Sequence, residues 1–148
     1  MRRELPRIPL PNSIEQFLTF ASAGERLAEL HVNYDSQSEY PLERRETPGK
    51  PLNWRVEKMK FTKDRTAIVY NDFLTLAGIP AEAFEYHLRN RPALEWIIDQ
   101  YQVRTDKRSG IVNDPNRADD PQYIVKLIGK IVTLSLETMK VLKSLPDL

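Results

Sequence analysis

From Tyr123 to Lys143 the polar residues fall in one narrow stripe. Lys126, Lys130, Thr133, Glu137 and Lys140 follow one another at steps of 4, 3, 4 and 3. Nearly everything between them is apolar, including Ile124, Val125, Leu127, Ile128, Ile131, Val132, Leu134, Leu136, Met139 and Leu142. Steps of three and four are the helical period, so the stretch predicts one long helix. An apolar arc this wide needs cover on two sides. The helix is either the spine of the domain or a face that meets another domain. Pro121 suits its first position and Asp119 or Asp120 its cap, which places it near 121–143.

The rest of the chain predicts shorter elements around that helix. Pro6, Pro9 and Pro11 make residues 1–11 an extended arm or linker, leaving 12–148 as a single domain. Asn12 or Ser13 caps a helix over 13–33, with Ile14, Phe17, Leu18, Ala21, Leu27, Leu30 and Tyr34 near helical spacing; Gly24 marks a kink or a break. Residues 35–53 carry three prolines and Gly49 and read as a loop. Trp54, Val56, Met59, Phe61, Ile68, Val69 and Tyr70 flank a "TKDR" turn, which predicts a β-hairpin over 54–70. "DFLTLAGIP" offers a third strand, "AEAF" a helical turn and "EYHL" a further short strand. Pro92 opens a helix with Leu94, Ile97, Ile98 and Tyr101 on one face, and a polar loop follows over 104–117. The class is α+β: a small antiparallel sheet packed with helices, the last of them long.

Catalytic chemistry finds little support. The chain has 148 residues and no cysteine, which excludes disulfides and thiolate chemistry and suits the cytoplasm. Two histidines, His31 and His87, give no metal spacing. The five glycines stand singly, so no phosphate cradle exists. Ser109 lacks the flanking glycines of a nucleophile elbow. "NDPN" at 113–116 reads as an Asx turn rather than a methyltransferase motif. Glu95 and Asp99 could pair as acid and base, but a solvated face, or partners for nearby arginines, is the simpler reading. His31 reads as a packed, helix-terminal side chain. No cofactor is expected, and no apolar run is long enough to cross a membrane.

Charge distribution points elsewhere. The net charge is +1, yet residues 12–46 hold seven acids against three bases, whereas 54–65 hold five bases against two acids. Residues 86–117 hold six bases against four acids. Lys58 and Lys60 fall on one hairpin face, with Lys63 and Arg65 near its turn. Such a tip suits a DNA groove or phosphates; equally, its lysines could guard a solvated sheet edge. Arg104, Lys107, Arg108 and Arg117 stand in the 104–117 loop beside Asn113, Asn116 and Gln102, side chains that hold phosphates or read base edges.

The stretch "ALEWIIDQYQVRTDKRSGIVNDPN" resembles the C-terminal specificity domain of Type ISP restriction-modification enzymes. So do "LAELHVNYD", "VEKMKF", "IVYN" and "LAGIP" upstream and "YIVKLIGKIVTLSLETMKVLKSLP" downstream, in order, from about Pro6. Those enzymes join a nuclease, a helicase-like ATPase motor, an adenine-N6 methyltransferase and a final target recognition domain. The resemblance implies that this chain is that last module, excised or truncated. It would bind double-stranded DNA and the methyltransferase and other domains of its parent, with no catalysis of its own. On one account the 104–117 loop, tied at its foot by the helix before it and at its far end by the long helix, is preorganised for DNA contact through residues such as Lys107 and Arg108. On the other, as the most family-typical part, it is structural or serves the methyltransferase interface, and the hairpin and the 86–91 stretch with Arg89, Asn90 and Arg91 do the reading. The second reading is a docking module that uses helix 121–143.

Overall fold

The computed structural model describes residues 8–147; the first seven residues of the expected arm lie outside that range. Helix α1 spans Ile14–Val32 and runs unbroken through Gly24. Ser13 caps it, its hydroxyl accepting from the Gln16 amide at 3.1 Å. Only Leu30 of this helix is buried, while Ile14, Phe17 and Leu18 stay exposed. A 3-10 turn over Tyr34–Ser36 follows.

The region expected as a plain loop contains a strand, β1 (Glu43–Glu46). Its sequence, Glu-Arg-Arg-Glu, carries no strand signal, and all four residues are exposed. Pairing with β4 (Leu74–Ala77) creates it, in the register Glu43↔Ala77 to Glu46↔Leu74. Charged side chains on such an edge keep other chains from adding to it. The expected hairpin over 54–70 is shorter than its pattern: β2 is Lys60–Phe61 and β3 is Ala67–Val69. The sheet order is β1-β4-β3-β2, antiparallel throughout.

Residues 54–59 form no strand because side chains take their backbone groups. The Asn71 amide donates to the carbonyls of Asn53 and Arg55 at 2.8 and 2.9 Å. The Asn116 side chain accepts from the Val56 amide at 2.8 Å and donates to its carbonyl at 2.7 Å. The Glu57 carbonyl accepts from the Val103 amide. The groups so engaged at Arg55, Val56 and Glu57 are lost to a strand ladder, yet Val56 and Met59 still reach the core.

A 3-10 turn over Ala81–Phe84 meets the helical-turn expectation. Then β5 (His87–Leu88) and β6 (Arg91–Pro92) pair across a two-residue turn, and α2 covers Ala93–Gln100. The expected polar loop contains a second small hairpin, β7 (Arg104–Thr105) with β8 (Val112–Asn113). Helix α3 is Tyr123–Lys143 and starts two residues later than expected. Neither Asp119 nor Asp120 caps it: the Asp120 carbonyl accepts from the Tyr123 amide, and its carboxylate pairs with Lys126 at 3.2 Å.

The spine expectation holds. Ile124, Val125, Leu127, Ile128, Ile131, Val132 and Leu134 are buried in a core shared with Leu30, Ile68, Tyr70, Leu74, Leu76 and Leu94. Helices α1 and α2 and both 3-10 turns pack on α3. Gly129 lets the chain pass close: a side chain there would stand 3.2 Å from the Glu39 Cβ, and the Gly129 carbonyl accepts from the Tyr40 amide. Among the described residues no helix is long and apolar enough to cross a membrane.

Candidate nucleic-acid interface

Three turns carry five of the ten cations that the sequence singled out. The β2–β3 turn holds Lys63 and Arg65, the β5–β6 turn holds Arg89 and Asn90, and the β7–β8 turn holds Lys107 and Arg108. Each is held by hydrogen bonds, the first and third from within and the second from α2. In the first, Asp64 accepts from the Thr62 and Thr66 hydroxyls at 2.6 and 3.0 Å and from the Thr66 amide. These donors, the Thr62 hydroxyl foremost, hold the Asp64 carboxyl below its ordinary range. In the third, Asp106 accepts from the Ser109 and Arg108 amides at 2.9 and 2.8 Å, and they lower its pKa in the same way. Gly110 supplies the positive φ that closes that turn. In the second, the Trp96 indole donates to the Leu88 carbonyl at 2.8 Å.

Helix α2 ties the turns together. Arg65 pairs with Glu95 at 3.8 Å and lies over the Phe61 and Phe84 rings. Asp99 receives two arginines: Arg91 at 3.5 Å and Arg104 at 2.8 Å, the latter also donating to the Asp99 carbonyl. Arg91 stacks on Trp96, 3.8 Å from the ring centroid. Glu95 and Asp99 are therefore partners for arginines, and an acid–base pair finds no support. His31 is likewise structural. Its Nδ1 donates to the Leu27 carbonyl at 2.6 Å, which leaves Nε2 to accept from the Tyr86 hydroxyl.

The foot of the third turn is clamped to the segment before β2. Asp114 accepts from the amide and side chain of Asn116 and from Arg55 at 2.7 Å, and these hold its carboxyl below the usual range. Arg55 is pushed up by Asp114 and Glu57. Arg117 stacks on Tyr123, 4.0 Å from the centroid.

The comparisons with known proteins match this arrangement to one family. The family model described as the Type ISP C-terminal specificity domain covers residues 1–127. This chain belongs to that family. The Type ISP restriction-modification enzyme LlaBIII, solved bound to DNA, superposes with a TM-score of 0.82 at 41% identity over 97% of this chain. A nuclease-deletion mutant of the Type ISP enzyme LlaGI, solved with a DNA substrate mimic, gives 0.81 at 40% identity over 98%. A DrdV–DNA complex gives 0.76 at 30% identity over 98%. The chain spans 9%, 12% and 15% of those three proteins. A search of curated proteins finds no match.

Within this specificity domain the predicted residues divide into two groups. Arg65, Arg91, Arg104 and Arg117 are engaged by carboxylates or rings. Among the described residues, Lys58, Lys60, Lys63, Arg89, Lys107 and Arg108 have no ion-pair partner, and all six are exposed, as are Asn90 and Asn113. Lys58 lies outside the strands, so the expected shared face with Lys60 does not form. Arg55 and Asn71 were not singled out from the sequence as bracing residues. The available signals were an arginine in a basic run and an asparagine closing a strand. No cluster of metal-ligating side chains occurs among the described residues.

Proposed function

We propose that this chain is the target recognition module of a single-chain restriction-modification enzyme, reading a sequence in double-stranded DNA. The observation that carries this is its match, over almost its whole length, to enzymes solved with DNA bound, together with its membership of the Type ISP C-terminal specificity domain family. The free cations agree with it. Four of them, Lys63, Arg89, Lys107 and Arg108, stand at turn tips whose backbone is held by hydrogen bonds, so part of the cost of ordering that backbone is met before binding. Lys63, Lys107 and Arg108 would meet phosphates, and Lys58, Lys60, Arg89, Asn90 and Asn113 lie on the same short segments. Arg65, Arg91, Arg104 and Arg117 would serve mainly as braces. The module would hold DNA for the methyltransferase of its parent and would have no nuclease, ATPase or methyl-transfer chemistry itself. The docking reading loses ground because α3 spends most of its apolar arc on this chain's own helices and turns.

The test is selection from a pool of randomised duplexes by the 148-residue chain. A single enriched, asymmetric motif supports the reading. Retention of all sequences alike, or of none, opposes it.

A further inference from the structure

The ten arginines among the described residues leave two without a side-chain partner there, Arg89 and Arg108. Arg89 is unusual in a second way. Its φ is +62°, and it holds the first place of the two-residue connection between the paired residues Leu88 and Arg91. That is a place where glycine normally sits, because a Cβ is strained in the left-handed region. The other arginine at positive φ, Arg65 at +55°, is accounted for by its aromatic rings and Glu95. The β7–β8 turn uses glycine for the same backbone task, with φ +72° at Gly110. At Arg89 the strain is accepted, and among the described residues no ion pair, side-chain hydrogen bond or ring stacking offsets it. Strain of that kind concentrates where a side chain is needed for binding.

We propose that the Arg89–Asn90 turn is a base-reading element, with the Arg89 guanidinium set on a guanine edge in the major groove. The inference rests on the recognition reading above. A two-stranded ribbon fits a major groove of about 12 Å, and arginine forms two parallel hydrogen bonds with guanine O6 and N7. The turn is a rigid stage for it. The Trp96 indole holds the Leu88 carbonyl, Arg91 lies against Trp96 and Asp99, and the Ala93 amide donates to the Tyr86 carbonyl. A phosphate contact would need only charge, which a lysine on a relaxed turn supplies. A strained, fixed turn bearing a planar fork suits a directional acceptor pair.

The experiment repeats the randomised-duplex selection with the 148-residue chain and its Arg89→Gly and Arg89→Lys variants, and adds thermal melts. Arg89→Gly should melt no lower than the wild type, since glycine relieves the left-handed backbone. It should lose a guanine preference at one motif position, roughly five- to a hundred-fold in relative affinity, with the rest of the motif intact. Arg89→Lys keeps the charge and should lose most of the same preference. An unchanged motif in Arg89→Gly overturns the inference, as does equal weakening on all sequences or a lowered Tm. A wild-type chain that enriches no motif overturns the recognition reading together with it, which separates the two failures.

Discussion

The Asn116 side chain clasps the backbone of Val56, accepting from its amide at 2.8 Å and donating to its carbonyl at 2.7 Å. The two residues are 60 positions apart, and Val56 is fully buried. This clasp replaces a sheet ladder and fixes the foot of the β7–β8 hairpin. Asn116→Ala strands one buried donor and one acceptor, an expected loss of about 2–4 kcal/mol. In a chain of this size that lowers Tm by roughly 5–15 °C. DNA binding should weaken on all sequences together. A melt within 1–2 °C of the wild type, about the effect of a neutral surface change, would show that the clasp carries little stability.

Leu30 is the one buried residue of α1 and packs in the core around α3. Leu30→Ala should cost about 2–5 kcal/mol, as lost transfer energy plus a cavity. Amide exchange across Ile14–Val32 should rise before that of α3. Equal protection of both helices in the variant would contradict so narrow an anchorage.

Asp99 neutralises Arg91 and Arg104 together. Asp99→Asn removes the negative charge that neutralises both guanidinium groups beside the turns, while Arg91 keeps its Trp96 stack and Arg104 its bond to the backbone carbonyl. Affinity for random duplex DNA should rise and its salt dependence should steepen by about one or two contacts. Both arginines are partly solvated, so the stability loss should stay near 1 kcal/mol or below. Unchanged affinity in 50 mM salt, roughly the lower end of the usual titration range, argues that this face lies away from the duplex.

Asp64, Asp106 and Asp114 all ionise below their ordinary value of 3.8. The unfolded chain therefore binds protons first as pH falls. Stability from these turns is complete above 3.8 and is lost as pH drops through the lowered folded values. Tyr70 behaves in the opposite sense. Burial pushes its hydroxyl from 10.0 up to about 12, so the stability it brings is full below 10.0 and is lost as pH climbs towards 12. Melts should fall at both limbs. Asp106→Asn should flatten the acid limb and Tyr70→Phe the alkaline one; limbs of unaltered slope would count against these assignments.

How much of this was legible in the sequence depended on how local each cause was. Helix α3 was readable because its polar stripe is a local period; its start slipped two residues because Pro121 and Gln122 form a turn on the Asp120 carbonyl. Strand β1 was unreadable. Its four charged residues become a strand only because β4 offers an open edge. Residues 54–59 had the strand pattern and lost the strand to asparagines 60 and about 15–20 positions away. At the site, residue types were visible but their employment was not. Arg104 and Arg108 look alike in sequence, yet one is held by Asp99 and the other stands free at a turn.

The central claim is that the free cations at the turn tips, and not the engaged arginines, form the DNA-contacting surface. The direct measurement is affinity for a random-sequence duplex between about 50 and 300 mM salt, for the wild type and the Lys63→Ala/Lys107→Ala/Arg108→Ala variant. The wild type should show a steep linear fall of log K with log salt. The variant should keep its Tm, because surface changes away from packing usually stay within about 0.5 kcal/mol each. Its salt slope should be shallower by about 2–3 units, near 0.9 per lost phosphate contact. A variant with wild-type affinity and wild-type slope would contradict the account.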